Sequence, residues 1–444
     1  MQGFFELSLG IRTTMVFVIG VLLGKLVNWA IYRCAYMRWQ IGPWCPPPQR
    51  LTRHWSHWLP IIGWFLMRAE GGKDDDHSRL FWFRPMVLEL GLGIGLAMLY
   101  RLEVTGGLLP AEAQLLVTSL QSTLHTQFLW HAILILFLVA ASFIDFDEKM
   151  IPDSITVTGT LTALVLATFF TAGRLPGVSE SVLIPFQLTS PHKWDPELNG
   201  IRGLGIAVAC FGAWCMAIMP MITTLRFGLW RGLLLMVASV VRPRRRTSNA
   251  QTRERPFRKE QWAVCWLIGL QWVGWLWIAL VWQFGSATQW NSLVSQLLGM
   301  AFGGGMIWSV RIVGFIAMKR EAMGFGDVTL MAMIGAFVGW QPCLLIFGLA
   351  PASAVIVALL QFILTRDTEI AFGPYLSLGF VICITYWDAL WFRYARDFFF
   401  IGNGWFIPTT CLVLLALMCG LLWVIRLFKE LVLGIDDAVP EPEA

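Results

Sequence analysis

Charge is scarce in this chain. Asp, Glu, Lys and Arg make up 14% of its 444 residues, against about 25% in an ordinary soluble domain. No Cys-x-x-Cys occurs among the nine cysteines. Most of them lie inside apolar runs, where Cys acts as a small hydrophobe, so neither a disulfide framework nor a four-thiolate zinc site is supported. No Gly-rich cofactor fingerprint, internal repeat or low-complexity tract is present. A leader-cleavage signature is also missing: the first apolar run, from about Thr13 to Ile31, is longer than a signal-peptide core and reads as an uncleaved first helix.

What is present is apolar sequence. Hydrophobic residues reach 57%, mean hydropathy is +0.65, and runs of membrane-spanning length recur throughout. The short alternating segments of a β-barrel are not seen. The fold class expected is an all-α, polytopic transmembrane bundle of about 9–11 spans. Candidate spans are 12–32, 85–101, 127–144, 154–173, 203–224, 261–284, 293–318, 328–340, 342–364, 374–392 and 406–427. The run at 58–67 is too short to span and is assigned to the interface.

The charge that exists is unevenly placed. Region 33–84 holds eight Lys or Arg, 242–260 holds eight more, and 102–125 holds none. The positive-inside rule puts the first two in the cytoplasm and the third outside. "RPRRR" (242–246) is read as a topogenic element near anionic lipid headgroups rather than a nucleic-acid arm. Counting crossings from outside brings Asp145 and Asp327 to the cytoplasmic face. "FRYARDFFF" opposes the count, because it leaves Arg393 and Arg396 outside. The acidic tail "DDAVPEPEA" is read as disordered.

Two acidic positions stand out against this background. Asp327 follows "MGFG" and opens an apolar run. Gly324 and Gly326 disfavour continuous helix, and non-helical backbone at membrane depth needs protein or a wet cavity around it. Asp327 therefore either faces a hydrated cleft or simply caps the helix that follows. Asp145 ends the apolar run "WHAILILFLVAASFI", with Asp147 two residues further on and more solvated. Asp153 follows Pro152 and is read as an N-cap. Two carboxyls brought together cannot both ionise easily. One can then activate a water while the other, protonated, polarises a carbonyl. That chemistry needs no metal and no cofactor. Few other charges enter the spans, chiefly Glu89 and Arg311, and His125 and His131 are read as interface or core residues.

These segments resemble the bacterial type IV prepilin peptidases, within the Gly-x-Gly-Asp intramembrane aspartic proteases. The likeness rests on "GKLVNWAIYR" (24–33), "RPMVLELGLG" (84–93), "IDFDEKMIPD" (144–153), "MGFGD" (323–327) and "AFGPYLSLG" (371–379), five matches in the family's order. It implies a catalytic pair at Asp145 and Asp327, with Gly324, Gly326, Asp147, Pro152, Asp153, Gly373 and Pro374 as supporting motif positions. It implies a multi-pass protein of the bacterial inner membrane with its site toward the cytoplasm. The substrates would be single-span prepilin-like proteins in the lipid bilayer, cut after a short leader; nucleic acid is not among the partners.

The family often carries paired cysteines that bind zinc in the first cytoplasmic loop, and it methylates the new N-terminus. Here that loop has Cys34 and Cys45, with His54 and His57 at irregular spacing, so no zinc is expected. S-adenosylmethionine enters only if methylation is retained. The organisation expected is a first helix (1–33), a cytoplasmic loop without cysteine pairs (34–84) and a peptidase-like membrane domain (85–444) with an insertion around 174–260. Thr329 stands where many relatives have Lys. The competing expectation is a non-enzymatic carrier or assembly factor on a decayed peptidase scaffold, since buried acids also serve proton-coupled transport.

Overall fold

The computed structural model describes residues 6–37, 42–45, 53–70, 81–179, 182–218, 254–318, 323–365, 371–401 and 405–428. Most of the basic stretch 242–260, the acidic run 74–76 and the tail lie outside them. Among the described residues twelve longer helices carry the fold: α1 Leu9–Cys34, α2 Phe83–Val104, α3 Gln121–Glu148, α4 Asp153–Phe169, α5 Ile201–Ile218, α6 Glu254–Phe284, α7 Ala287–Met318, α8 Phe325–Val338, α9 Trp340–Thr365, α10 Gly373–Thr385, α11 Asp388–Phe400 and α12 Phe406–Phe428. Each of the eleven apolar runs is helical where it is described, and the all-α bundle is as expected.

The runs are not all full crossings. Among the described residues, five helices (α1, α3, α5, α7 and the Trp266–Phe284 part of α6) are long and apolar enough to span, or six counting the bent pair α10–α11. The run expected as one span at 374–392 is two helices meeting at 80°. The bend is held by Trp387 and Trp391, whose rings stack at 5.5 Å, with Phe186 edge-on to both. Arg393 and Arg396 therefore sit on a helix turned away from the span, where Arg393 meets Asp388.

Helix α8 is the centre of the bundle. It has 14 residues, about 21 Å at 1.5 Å per residue, too short for a hydrocarbon layer of about 30 Å. Every residue from Asp327 to Val338 is buried. A helix that is apolar all round belongs inside a core, and α8 lies among α3, α4, α7, α9 and α10. Glycines permit the closest of these approaches. A Cβ on Gly335 would stand 2.1 Å from the Gly299 carbonyl oxygen of α7, and one on Gly299 would stand 2.2 Å from that of Gly335. Small residues let membrane helices pack backbone to backbone in this way. Gly339 then ends α8 at φ +90°, a conformation that side chains with a Cβ avoid.

The segment expected as an outside loop, 174–202, contains an antiparallel hairpin of β1 (Pro176–Ser179) and β2 (Val182–Pro185), which the sequence reading did not anticipate. Tryptophans fasten this region. Trp387 donates its indole N–H to the Pro176 carbonyl, Trp340 to Leu188, Trp290 to Leu198 and Trp282 to Asn199. Gln341 donates to the carbonyls of Gln187, Leu188 and Ser190. These side chains satisfy carbonyls that a non-ladder segment would otherwise leave open.

Replacing Gly335 by Leu should force α7 and α8 apart. Overpacking costs about 1–3 kcal/mol. Thermal unfolding in detergent should show a clearly lowered midpoint for Gly335→Leu and no change for Gly91→Leu, where an added Cβ meets open space.

Candidate active site

Three helix ends meet at one end of the bundle. The last turn of α3 supplies Asp145, the first turn of α8 supplies Asp327, and α10 begins at Gly373. The chain leaves α3 through Lys149, a left-handed C-cap whose N–H donates to the Asp145 carbonyl at 2.9 Å. Four residues later α4 starts. This tight turn carries Ile151 into the core, against the backbone of both other ends: a Cβ on Gly326 would lie 2.9 Å from Ile151 Cβ, and one on Gly373 would lie 2.9 Å from its Cδ1.

Both aspartates are buried, Asp145 to 5% exposure and Asp327 to 7%. Asp145 Oδ2 accepts the Gly373 backbone N–H at 3.0 Å. The Asp327 carboxylate faces the amide of Gly324 and is close enough to Asp145 for the two charges to act on each other. Each acid thus lies against the N-terminus of a helix, Asp327 on α8 and Asp145 on α10, where free N–H groups favour negative charge. Asp327 is the third residue of α8, Gly324 is the N-cap, and no side chain caps the helix. The capping reading of Asp327 therefore does not hold. Thr329, at the position where relatives carry Lys, donates its hydroxyl to the Gly326 carbonyl. From α7, the Arg311 guanidinium lies 5.9 Å from the centre of the Phe325 ring.

The remaining motif residues sit around the pair rather than in it. Asp147 is ion-paired with Arg84 at 2.7 Å, partly exposed. Pro152 is the N-cap of α4 and Asp153 its first residue, exposed and making no cap bond. This corrects the expectation of Asp153 as N-cap; its acid complements the helix dipole instead. Pro374 occupies the first turn of α10, where a missing N–H costs nothing. Gly373 is confined by the site itself, because a Cβ there would stand 2.6 Å from Asp145 Oδ2.

The two upstream motifs build a different feature. Glu89 of α2 is wholly buried. Its carboxylate accepts N–H groups from Asn28 of α1 (3.1 Å), Trp64 (2.7 Å) and Ile61 (2.5 Å). It pins the 53–70 segment to the bundle. Sequence reading noted Glu89 only as an intramembrane charge; the Asn28 motif position, also buried, was the available sign of its partner.

His57 Nδ1 accepts the His54 backbone N–H, and Arg53 donates to the Cys45 carbonyl. Among the described residues no three His, Cys, Asp or Glu are grouped to hold a metal.

Residues 266–360 match the type IV leader peptidase family. The leader peptidase match includes Gly324, Gly326 and Asp327 but reaches neither Asp145 nor Gly373. The chain is 34% identical over 113 residues to the prepilin leader peptidase/N-methyltransferase of Escherichia coli K12, covering 25% of this chain and 49% of the relative. It is 35% identical over 111 residues to that of Pseudomonas aeruginosa, covering 24% and 37%, and 33% identical over 127 residues to that of Stutzerimonas stutzeri, covering 27% and 42%. The matches thus span less than half the length of these leader peptidases. No solved structure matches the chain.

Glu89→Ala should strand the two buried donors of Asn28 and Trp64 at about 1–3 kcal/mol each, free the Ile61 N–H and release the loop. Limited trypsin digestion should cut at Arg68 many times faster in the variant than in wild type.

Proposed function

We propose that the protein is a membrane-embedded aspartic endopeptidase that removes the leader of type IV prepilin-like proteins. The observation that carries this reading is the meeting of Asp145 and Asp327, distant in sequence, as two buried and mutually interacting acids at one end of the bundle. The leader peptidase match and the names of the relatives support the substrate class. The basic first loop begins at the same end, at the close of α1, where Tyr36 and Met37 donate backbone N–H groups to Glu148. By the positive-inside rule that end faces the cytoplasm of the inner membrane.

Chemically, one carboxylate takes a proton from a water held between the two acids, and the water oxygen attacks the scissile carbonyl. The other acid, protonated, donates to the carbonyl oxygen as it becomes an oxyanion. Collapse of the tetrahedral intermediate breaks the C–N bond, and a proton from the pair goes to the leaving amine. The roles belong to the dyad as a unit. Gly373 holds Asp145 in place through its amide, Ile151 spaces the helix ends, and burial excludes bulk water. Two carboxyls and a water require no cofactor for hydrolysis, and methyl transfer is not part of the proposal.

Co-expression with a prepilin tests this directly. Asp145→Ala and Asp327→Ala should each lower leader removal by at least about a thousandfold, and the double variant should be no worse than either single one. Gly373→Ala, which pushes on Asp145 Oδ2, should lose at least tenfold in rate, whereas Gly91→Ala keeps wild-type rate. Equal cleavage by all variants would refute the reading.

One observation favours a second reading as a carrier. His131 Nδ1 and Glu103 Oε1 lie 2.8 Å apart, both fully buried, with His131 Nε2 and Glu103 Oε2 without a partner among the described residues. Intramembrane pairs of this kind serve proton relays. Ion flux in proteoliposomes that Glu103→Gln and Asp327→Asn abolish, with leader cleavage undetectable, would promote that reading over the peptidase.

A further inference from the structure

A second side-chain contact joins α3 and α10, one turn deeper in the bundle than the bond between Asp145 and Gly373. Ser142 Oγ and Ser377 Oγ lie 2.8 Å apart. Ser142 precedes Asp145 by three residues, and Ser377 follows Gly373 by four. Each serine therefore shares a helix face with its neighbour in the site. Ser377 is buried and Ser142 partly buried. Both stand in otherwise apolar sequence, "LVAASFI" and "LSLGFV", where a hydroxyl needs a partner inside the protein.

The direction of the bonds follows from counting hydrogens. Ser377 Oγ also lies 3.0 Å from the Gly373 carbonyl oxygen, one turn back on its own helix. A serine hydroxyl has one hydrogen to give. Ser377 gives it to Gly373, so it accepts from Ser142. The Gly373 N–H in turn donates to Asp145 Oδ2 at 3.0 Å. Two rungs thus cross from α3 to α10, and one turn of each helix ties them together. A single rung at Asp145 would let α10 rotate or slide about that contact. Two rungs a turn apart fix its rotation and its depth together. Serine hydroxyls join membrane helices in this way.

We infer that Ser142 and Ser377 are positioning residues for the aspartate pair: their hydrogen bond sets how α10 lies on α3 and so keeps the Gly373 amide on Asp145. The inference rests on the peptidase reading above. Both serines act through Gly373, whose carbonyl and amide are the two ends of the link. A displacement of about 1 Å at a reacting group can cost about a hundredfold in rate, so the serines govern turnover rather than substrate binding. Ser353 of α9 provides the comparison. Its hydroxyl is also buried against α10, donating to the Ala350 carbonyl at 2.8 Å and lying 3.5 Å from that of Tyr375, but it has no part in the two rungs.

Initial rates of leader removal from a purified prepilin by the full chain in detergent, taken across substrate concentrations, test the inference. Ser377→Ala breaks the link on both sides and should lower kcat at least about tenfold. Ser142→Ala leaves the bond from Ser377 to Gly373 and should lower kcat at least about threefold, with KM within about twofold of wild type in both variants. The double variant should match Ser377→Ala, because the two serines act through one link. Ser353→Ala should keep the wild-type kcat. Wild-type kcat in Ser377→Ala, a loss carried by KM, single losses that multiply in the double variant, or an equal loss in Ser353→Ala would each overturn the inference. With Asp145→Ala inactive in the same assay, those results would leave the peptidase reading standing. Cleavage that survives Asp145→Ala would remove that reading, and the positioning role with it.

Discussion

Helix α8 is buried on every side from Asp327 to Val338, and it is too short to carry its N-terminus to the far edge of a bilayer. The backbone contact between Gly335 and Gly299 fixes how deep it sits. An acid in its first turn is consequently held inside the protein rather than in the headgroup layer. An isolated carboxylate in that position would be costly. The structure meets part of the cost with helix N-termini and main-chain amides, the Gly373 N–H on Asp145 among them, and a second acid beside the first lets the pair share one proton.

The other elements follow from that placement. Helix α3 must end beside α8, and the left-handed Lys149 makes it end within one residue of Glu148. The turn to α4 brings Ile151 between the glycines of two helix starts. Helix α10 must begin where Asp145 needs a donor, and Phe-Gly-Pro gives it a first residue without a side chain and a second without an N–H. At the opposite end the molecule is fastened by indole and amide donors to a carbonyl-rich segment. One end of the bundle is therefore held by side chains reaching backbone, and the other by backbone reaching two side chains.

Much of this was legible in the sequence. Apolar runs gave the helices because their length and hydropathy are local properties. Asp145, Asp327 and Gly373 were marked by short motifs in order, and the structure brings all three together. Less visible was anything set by partners far apart in the chain. His131 read as an interface or core residue and nothing in the sequence marked Glu103, yet they pair. Glu89 read as a stray charge, yet three donors converge on it. The bend after Thr385 depends on Phe186, two hundred residues earlier, so the run at 374–392 looked like one span. Asp153 was misassigned as a cap because Pro152, having the extended geometry an N-cap requires, took that position itself.

The central claim is that residues 145 and 327 face each other in the folded protein. In a background whose nine native cysteines are replaced, Asp145→Cys with Asp327→Cys should be joined by a short bis-maleimide in intact membranes. After protease cleavage at an engineered site in the 242–260 stretch, the two halves should then migrate as one band. Neither single-cysteine variant should give that band. Two separate halves from the double variant, with both thiols shown to be reactive, would contradict the account.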